Sequence, residues 1–309
     1  MRPTSDPSDP YAAALESVLR GVPYNSATEY LHWYDKSDPD PRHGVACIHQ
    51  TLYVAERAAA LGAPEAAILQ DMRHIAAVFE DDGAVIVLDP YLMHLTPIVF
   101  PAEEVRRGHC EVEVDAAPVR RDERGGAHPA RLTAVYRSSG EGYRIRLSYS
   151  KYSVKNGAHF LSRHFTLRSE NRFDFARFSA DMLALLTHPE QNSVSIRAIV
   201  TDAPGAGGAA DPADPAASAG SAVTAEAIIP LKGFASCEFS ARDIWLRSGQ
   251  GVATPNGEGA AAEAVWADLE RTTGLDRQDI EEHLVSAAQV YQKIADHRTE
   301  LPDYHLQDA

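Results

Sequence analysis

Cys47, His74 and Asp89 stand in chain order, and local structure can bring all three together. They flank Glu80-Asp81-Asp82-Gly83, in which Asp-Gly at the two central positions signals a two-residue type I′ hairpin turn. With that loop, Asp81 faces Ala84 and, by the same count, Ala76 faces Asp89. His74 lies two residues before Ala76 and so on the same face. His74 and Asp89 become diagonal neighbours, a gap that long side chains close. A three-residue loop would turn Asp89 to the opposite face and destroy the pair. A carboxylate that steers an imidazole, with a thiol to be activated, is the layout of a cysteine nucleophile with its base.

The thiol needs a helix start. Gly44 is expected to open a helix that runs to about Leu61, with Gly62 as its stop. Cys47 then sits in the first turn, where unpaired backbone N–H groups and the positive end of the helix dipole favour a thiolate. The alternative is a small buried apolar residue, the usual fate of a free cysteine. Strands are expected over Ala66 to Asp71, Arg73 to Glu80 and Ala84 to Leu88, the last running into Asp89. Tyr91, beside Asp89, and His43, before Cys47, are the candidate substrate-binding residues. His49 and His94 would have to join His74 to hold a metal; no helical His-x-x-x-His or carboxylate spacing supports that, so no metal is expected.

Upstream, Asp9-Pro10 reads as a cap and first helical residue, with Tyr11, Leu15 and Leu19 at helical spacing. A second helix is expected over Ala27 to Tyr34, capped by Ser26, and then a loop through Asp38-Pro39 and Asp40-Pro41. Alternating segments between His109 and Thr166 suggest an antiparallel sheet or a small barrel. Phe175 to Leu186 reads as a helix and Ser193 to Val200 as a strand. Asp202 to Ser221, made of Ala, Gly, Pro, Ser and Asp, reads as a flexible insertion. A strand at Ala225 to Leu231 and helices over Ala261 to Arg271 and Asp276 to Asp296 complete the chain.

The 309 residues, 44% hydrophobic and 24% charged, have ordinary globular composition and exceed one typical domain. No apolar run is long enough to span a membrane, and Met1 to Pro10 lacks the apolar stretch of a signal peptide, so a cytoplasmic protein is expected. The three cysteines, Cys47, Cys110 and Cys237, show no CxxC spacing, which argues against a disulfide framework. A net charge of −15 argues against general nucleic-acid binding. Residues 104 to 177, however, hold 15 Lys and Arg against 9 Asp and Glu, a local +6 that leaves −21 on the rest. Such a segment suits an anionic partner, either coenzyme phosphates or an acidic carrier protein; otherwise its arginines are solvated strand faces or internal salt bridges.

The run Arg42-His43-Gly44-Val45-Ala46-Cys47-Ile48-His49-Gln50 resembles the active-site helix of the arylamine N-acetyltransferases. Arg73 to Val78, and then Val87-Leu88-Asp89-Pro90-Tyr91, resemble that family's histidine and aspartate strands, and the Asp-Pro step is also similar to transglutaminase-like enzymes. The resemblance continues loosely from Asp174-Phe175 to Ile196 and near Gly274-Leu275. It implies an α+β, papain-like fold: an N-terminal helical bundle with the catalytic strands (1–90), a central antiparallel β-barrel (91–200), the flexible insertion (201–224) and a C-terminal α/β lid (225–309). It also implies acyl transfer through a thioester on Cys47, with His74 as base and Asp89 as orienting carboxylate. Cys110 and Cys237 match nothing in the family pattern and are expected to be structural.

The chain departs from the family around the nucleophile. Arg-Gly-Gly-x-Cys becomes Arg42-His43-Gly44-Val45-Ala46-Cys47, the residues after the cysteine are Ile48 and His49, and Pro90, Tyr91 and Leu92 follow the aspartate. These changes surround the acyl and acceptor pockets. The expectation is therefore a cysteine acyltransferase with no bound cofactor. It would use acyl-coenzyme A or acyl-phosphopantetheine on an acyl carrier protein as donor, and a small-molecule amine or hydroxyl acceptor in a specialised biosynthetic pathway. The alternatives are a thiol hydrolase or amidase of transglutaminase-like type, and a non-catalytic binding protein on the same fold.

Overall fold

The computed structural model describes residues 9–36, 41–188, 191–200, 222–231 and 238–295. The loop expected around Asp38-Pro39, nearly all of the Ala/Gly/Pro insertion, Cys237 and Asp296, the last residue of the expected C-terminal helix, lie outside them. Among the described residues the fold is mixed α+β. The helices are α1 (Pro10–Gly21), α2 (Ala27–Asp35), α3 (Cys47–Ala60), α4 (Ala102–Arg107), α5 (Phe175–Leu186), α6 (Gly259–Thr273) and α7 (Arg277–Ile294). The strands up to the long central sheet are β1 (Tyr24–Asn25), β2 (Ala67–Asp71), β3 (His74–Asp81), β4 (Ala84–Leu88) and β5 (Ile98–Phe100). They are followed by β6 (His109–Arg121), β7 (Ala127–Ser139), β8 (Gly142–Ser153), β9 (Ala158–Arg168), β10 (Ser193–Val200), β11 (Val223–Pro230), β12 (Trp245–Ser248) and β13 (Ala253–Pro255). Two compact units result, one made of Met1–Leu19, Cys47–Phe173 and Thr201–Val223, the other of Arg20–Ala46, Asp174–Val200 and Thr224–Ala309.

The first unit holds a four-stranded sheet in the order β2-β3-β4-β5. Its centre is the β3–β4 hairpin, in which Asp81 pairs with Ala84, Val78 with Val87 and Ala77 with Leu88. Asp82 and Gly83 both take positive φ, 47° and 79°, as a type I′ turn demands. Residues 74–79 are buried on both faces. One reason is α3, which packs on β3. Another is α1, whose Tyr11 meets Phe79 edge-on at 5.0 Å and donates its hydroxyl to Asp81 at 2.7 Å.

The second sheet of this unit has the order β6-β7-β8-β9. It is open, and the expected barrel is not formed: β6 pairs with β7 and β9 with β8, without a β6–β9 ladder. Closure fails because other groups take the edges. On β6, Asp115 accepts from Leu95 N–H, Ala117 donates to Met93 O and Val119 donates to Ala222 O, each at 2.9 Å. On β9, Thr166 donates its N–H to the Asp71 carboxylate at 2.7 Å.

The other unit is a sheet in the order β1-β10-β11-β12-β13 with α2, α5, α6 and α7. Ser26 stands at the start of α2 but does not cap it through its side chain. Its hydroxyl instead accepts the Ser195 N–H of β10 at 2.9 Å, and Asn25 Oδ1 accepts the Ala27 N–H.

Candidate active site

Cys47 is the first residue of α3, three residues later than the expected start at Gly44. Gly44 has φ +78°, and a Cβ there would collide with the Pro23 carbonyl oxygen. Val45 then donates to Pro23 O at 3.0 Å and accepts from Asn25 N–H at 2.8 Å, which keeps this stretch extended. The helix therefore begins on the cysteine itself, whose N–H is one of the four that lack an intrahelical acceptor. One turn on, at the i+4 position that shares the cysteine's face, Thr51 is fully buried and donates its hydroxyl to Ile75 O at 3.3 Å. That bond pins the start of α3 to the residue beside His74.

His74 opens β3 and is only 4% exposed. Its Nε2 donates to Asp89 Oδ2 at 2.6 Å. Cys47 acts on the ring as well, and with Nε2 committed to the carboxylate, Nδ1 is the nitrogen left to face a thiol. Phe165 of β9 stacks on the ring at 3.8 Å and 20°, and Tyr91 leans on it at 5.5 Å. Burial opposes the charged imidazolium, but the charge and hydrogen bond of Asp89, with Cys47 acting in the same direction, override it and push the pKa up to about 10.

Asp89 follows β4 and is fully buried. Its Oδ1 has no hydrogen-bond partner among the described residues, so the carboxylate is directed at His74. Its backbone N–H donates to His94 Nε2 at 2.9 Å. The other nitrogen of His94, Nδ1–H, donates to Thr96 O at 2.6 Å. This fixes His94 as the Nδ1–H tautomer, neutral at Nε2. Burial lowers its pKa against weaker opposing effects of the Thr96 carbonyl and Asp89. Its backbone is held by a bridge to Ala116 on β6.

Cys47, His74, Asp89 and Tyr91 thus belong to one unit; His74 and Asp89 are hydrogen-bonded, and Cys47 adds to the rise in the pKa of His74. Tyr91 turns its hydroxyl to accept from Arg163 Nε at 3.2 Å. His43 belongs to the other unit, where its ring stacks on His283 at 4.8 Å and its carbonyl accepts from the Asn25 side chain. His94 lies in the site's own hydrogen-bond network, as a support for Asp89. In the sequence it stands only as a candidate metal ligand that the spacing does not support; its place five residues after Asp89, beyond the Asp-Pro turn, was the available signal. Phe165 and Thr51 carried no local signal at all.

Chemically, the arrangement supplies a half-buried cysteine at a helix start, in the same unit as an imidazole whose protonated form is stabilised by a buried carboxylate. An imidazole held charged in this way is the partner that a nucleophilic cysteine requires. No family model, curated protein or solved structure matches the chain.

Proposed function

We propose that the protein is a cysteine acyltransferase of papain-like architecture, moving an acyl group from a thioester to an amine or hydroxyl acceptor. The observation that carries this is the buried His74 ring, bonded to Asp89 at 2.6 Å, its pKa raised by that carboxylate and further by Cys47, the first residue of α3. A helix that begins on the cysteine and packs on antiparallel strands bearing the histidine and aspartate supports the likeness to arylamine N-acetyltransferases and transglutaminase-like enzymes.

In the first half-reaction the Cys47 thiolate attacks the donor carbonyl, forming a C–S bond. The donor's own C–S bond breaks, and its thiol leaves with the proton from His74. Backbone N–H groups at the start of α3, that of Cys47 included, stabilise the oxyanion. In the second, the acceptor nitrogen or oxygen attacks the acyl-enzyme, His74 takes its proton, and the Cys47 thiolate is released. Asp89 holds the ring in place throughout. The donor is acyl-coenzyme A or acyl-phosphopantetheine on a carrier protein; the acceptor is a small molecule of a specialised biosynthetic pathway. A free thiol nucleophile fits a reducing, cytoplasmic setting.

Incubation with a panel of acyl-coenzyme A thioesters, followed by intact-mass measurement, tests this. One acyl group is expected on the wild type and none on Cys47→Ala. An unmodified wild type, or an adduct that survives the substitution, rejects the proposal.

A further inference from the structure

The open β6–β9 sheet turns one face to solvent, and its register lines up positive charge there. Arg137 of β7 pairs directly with Arg144 of β8, and Arg144 with Arg168 of β9. His109 of β6 stands opposite Arg137 at the end of the same row. Arg146 lies two residues from Arg144, on the same face. All four arginines are exposed. Arg131, further along this face, has a carboxylate partner in Glu113 at 3.9 Å. The other four have none among the described residues.

Like charges directly opposite one another across a ladder destabilise a sheet. Placing three guanidinium groups abreast, in a protein whose net charge is −15, therefore costs stability for no gain within the chain. An external anion removes that cost. The spacing selects its shape. Neighbouring strands lie about 4.8 Å apart, whereas carboxylates three or four residues apart on a helix lie about 5–6 Å from one another. An acidic helix laid across the strands meets the row one carboxylate per arginine, and guanidinium groups bind carboxylates bidentately. Glu111, Glu113 and Asp115 of β6 stand on the same face, so the cationic surface is a short row rather than the broad field that a nucleic-acid duplex or an anionic membrane would meet.

We propose that this face docks an acidic helix of a carrier protein, the one that bears the acyl donor. The identity of the partner rests on the acyl transfer proposed above; the surface does not. Its position suits delivery. Arg168 is three residues from Phe165 on β9, about 10 Å of strand, and Phe165 is the ring stacked on His74. Docking on one face of the sheet would leave the prosthetic arm to bring its thioester round to Cys47.

The test uses the full-length protein and a purified bacterial fatty-acid acyl carrier protein in its phosphopantetheinylated form. Affinity is measured at low and at physiological ionic strength. The wild type and Cys47→Ser are expected to bind alike and to weaken with salt. The triple variant Arg137→Ser, Arg144→Ser, Arg168→Ser is expected to lose at least about tenfold, each exposed pair contributing a small share. Its melting temperature is expected to equal or exceed that of the wild type, which separates lost docking from lost folding. A wild type that does not bind the carrier, or a triple variant that binds as well, overturns the inference. So does a wild type that prefers equimolar phosphatidylcholine–phosphatidylglycerol vesicles or duplex DNA to the carrier. Acylation of Cys47 by acyl-coenzyme A reads the transferase proposal separately, since the three arginines touch none of the site residues described above.

Discussion

Asp89 donates its backbone N–H to His94 Nε2 at 2.9 Å while its side chain accepts from His74 at 2.6 Å. The two histidines are in opposite states because of what each faces. His74 meets the carboxylate and is held protonated; His94 meets an N–H donor and must keep its lone pair. Replacing His94 by Ala leaves the buried Asp89 N–H without an acceptor, at a cost of about 1–3 kcal/mol. His94→Gln, whose side-chain carbonyl can accept, should recover part of it. Alkylation of Cys47 by iodoacetamide should slow in His94→Ala and recover partly in His94→Gln. A purely structural role for His94 would lower stability in both and leave the rate per folded molecule unchanged.

The same opposition gives two pH dependences. The pKa of His74 is raised from 6.5 to about 10 in the folded state, so its contribution to stability is fully present below 6.5 and is lost as the pH climbs through about 10. Urea unfolding of the wild type should show that loss, and Asp89→Asn should not. The pKa of His94 is depressed below 6.5, so its contribution is present above that value and is lost on acidification, when the unfolded chain takes up a proton that the folded ring resists. Below pH 6.5 the wild type should lose stability faster than His94→Gln.

The legible part of this site was the local part. Asp82-Gly83 fixes the turn, the turn fixes the register, and the register brings His74 to Asp89. The late start of α3 was not legible, because it depends on the Pro23 carbonyl closing over Gly44. His94 reaches Asp89 through a backbone N–H, which has no residue-type signature. The alternation of β6 to β9 announces strands but cannot distinguish an open sheet from a closed one. Edge occupancy by residues such as Met93, Leu95 and Asp71 decides that, and it is set by distant chain. The cationic row was visible only as a local excess of charge; its alignment is a property of register.

Thr51 offers a check on how the sulfur is held. Its hydroxyl bond to Ile75 O ties α3 to β3 one turn beyond Cys47. Thr51→Val keeps the shape and removes the bond, with an expected loss of about 1 kcal/mol in denaturant unfolding. If that bond also sets the approach of sulfur to imidazole, the alkylation rate of Cys47 at neutral pH should drop as well. Thr51→Ser, which keeps the hydroxyl, should restore the rate even though it loses a buried methyl group.

The turn itself gives the sharpest discrimination. Gly83 has φ +79°, which an alanine adopts only at a cost of about 1 kcal/mol. Gly83→Ala should therefore lower the melting temperature while leaving the register, and the reactivity of Cys47, intact. Inserting one glycine between Asp82 and Gly83 does the reverse kind of damage. A three-residue loop shifts the pairing by one, and every side chain after the turn exchanges faces. Asp89 then points away from His74, the imidazole loses the carboxylate that keeps it charged, and burial drives it neutral. Acylation of Cys47 should fall by about a hundredfold or more, as expected for a misplaced catalytic group, while far-UV circular dichroism stays near that of the wild type. Undiminished acylation in the insertion variant would mean that the Asp89 carboxylate does not steer His74.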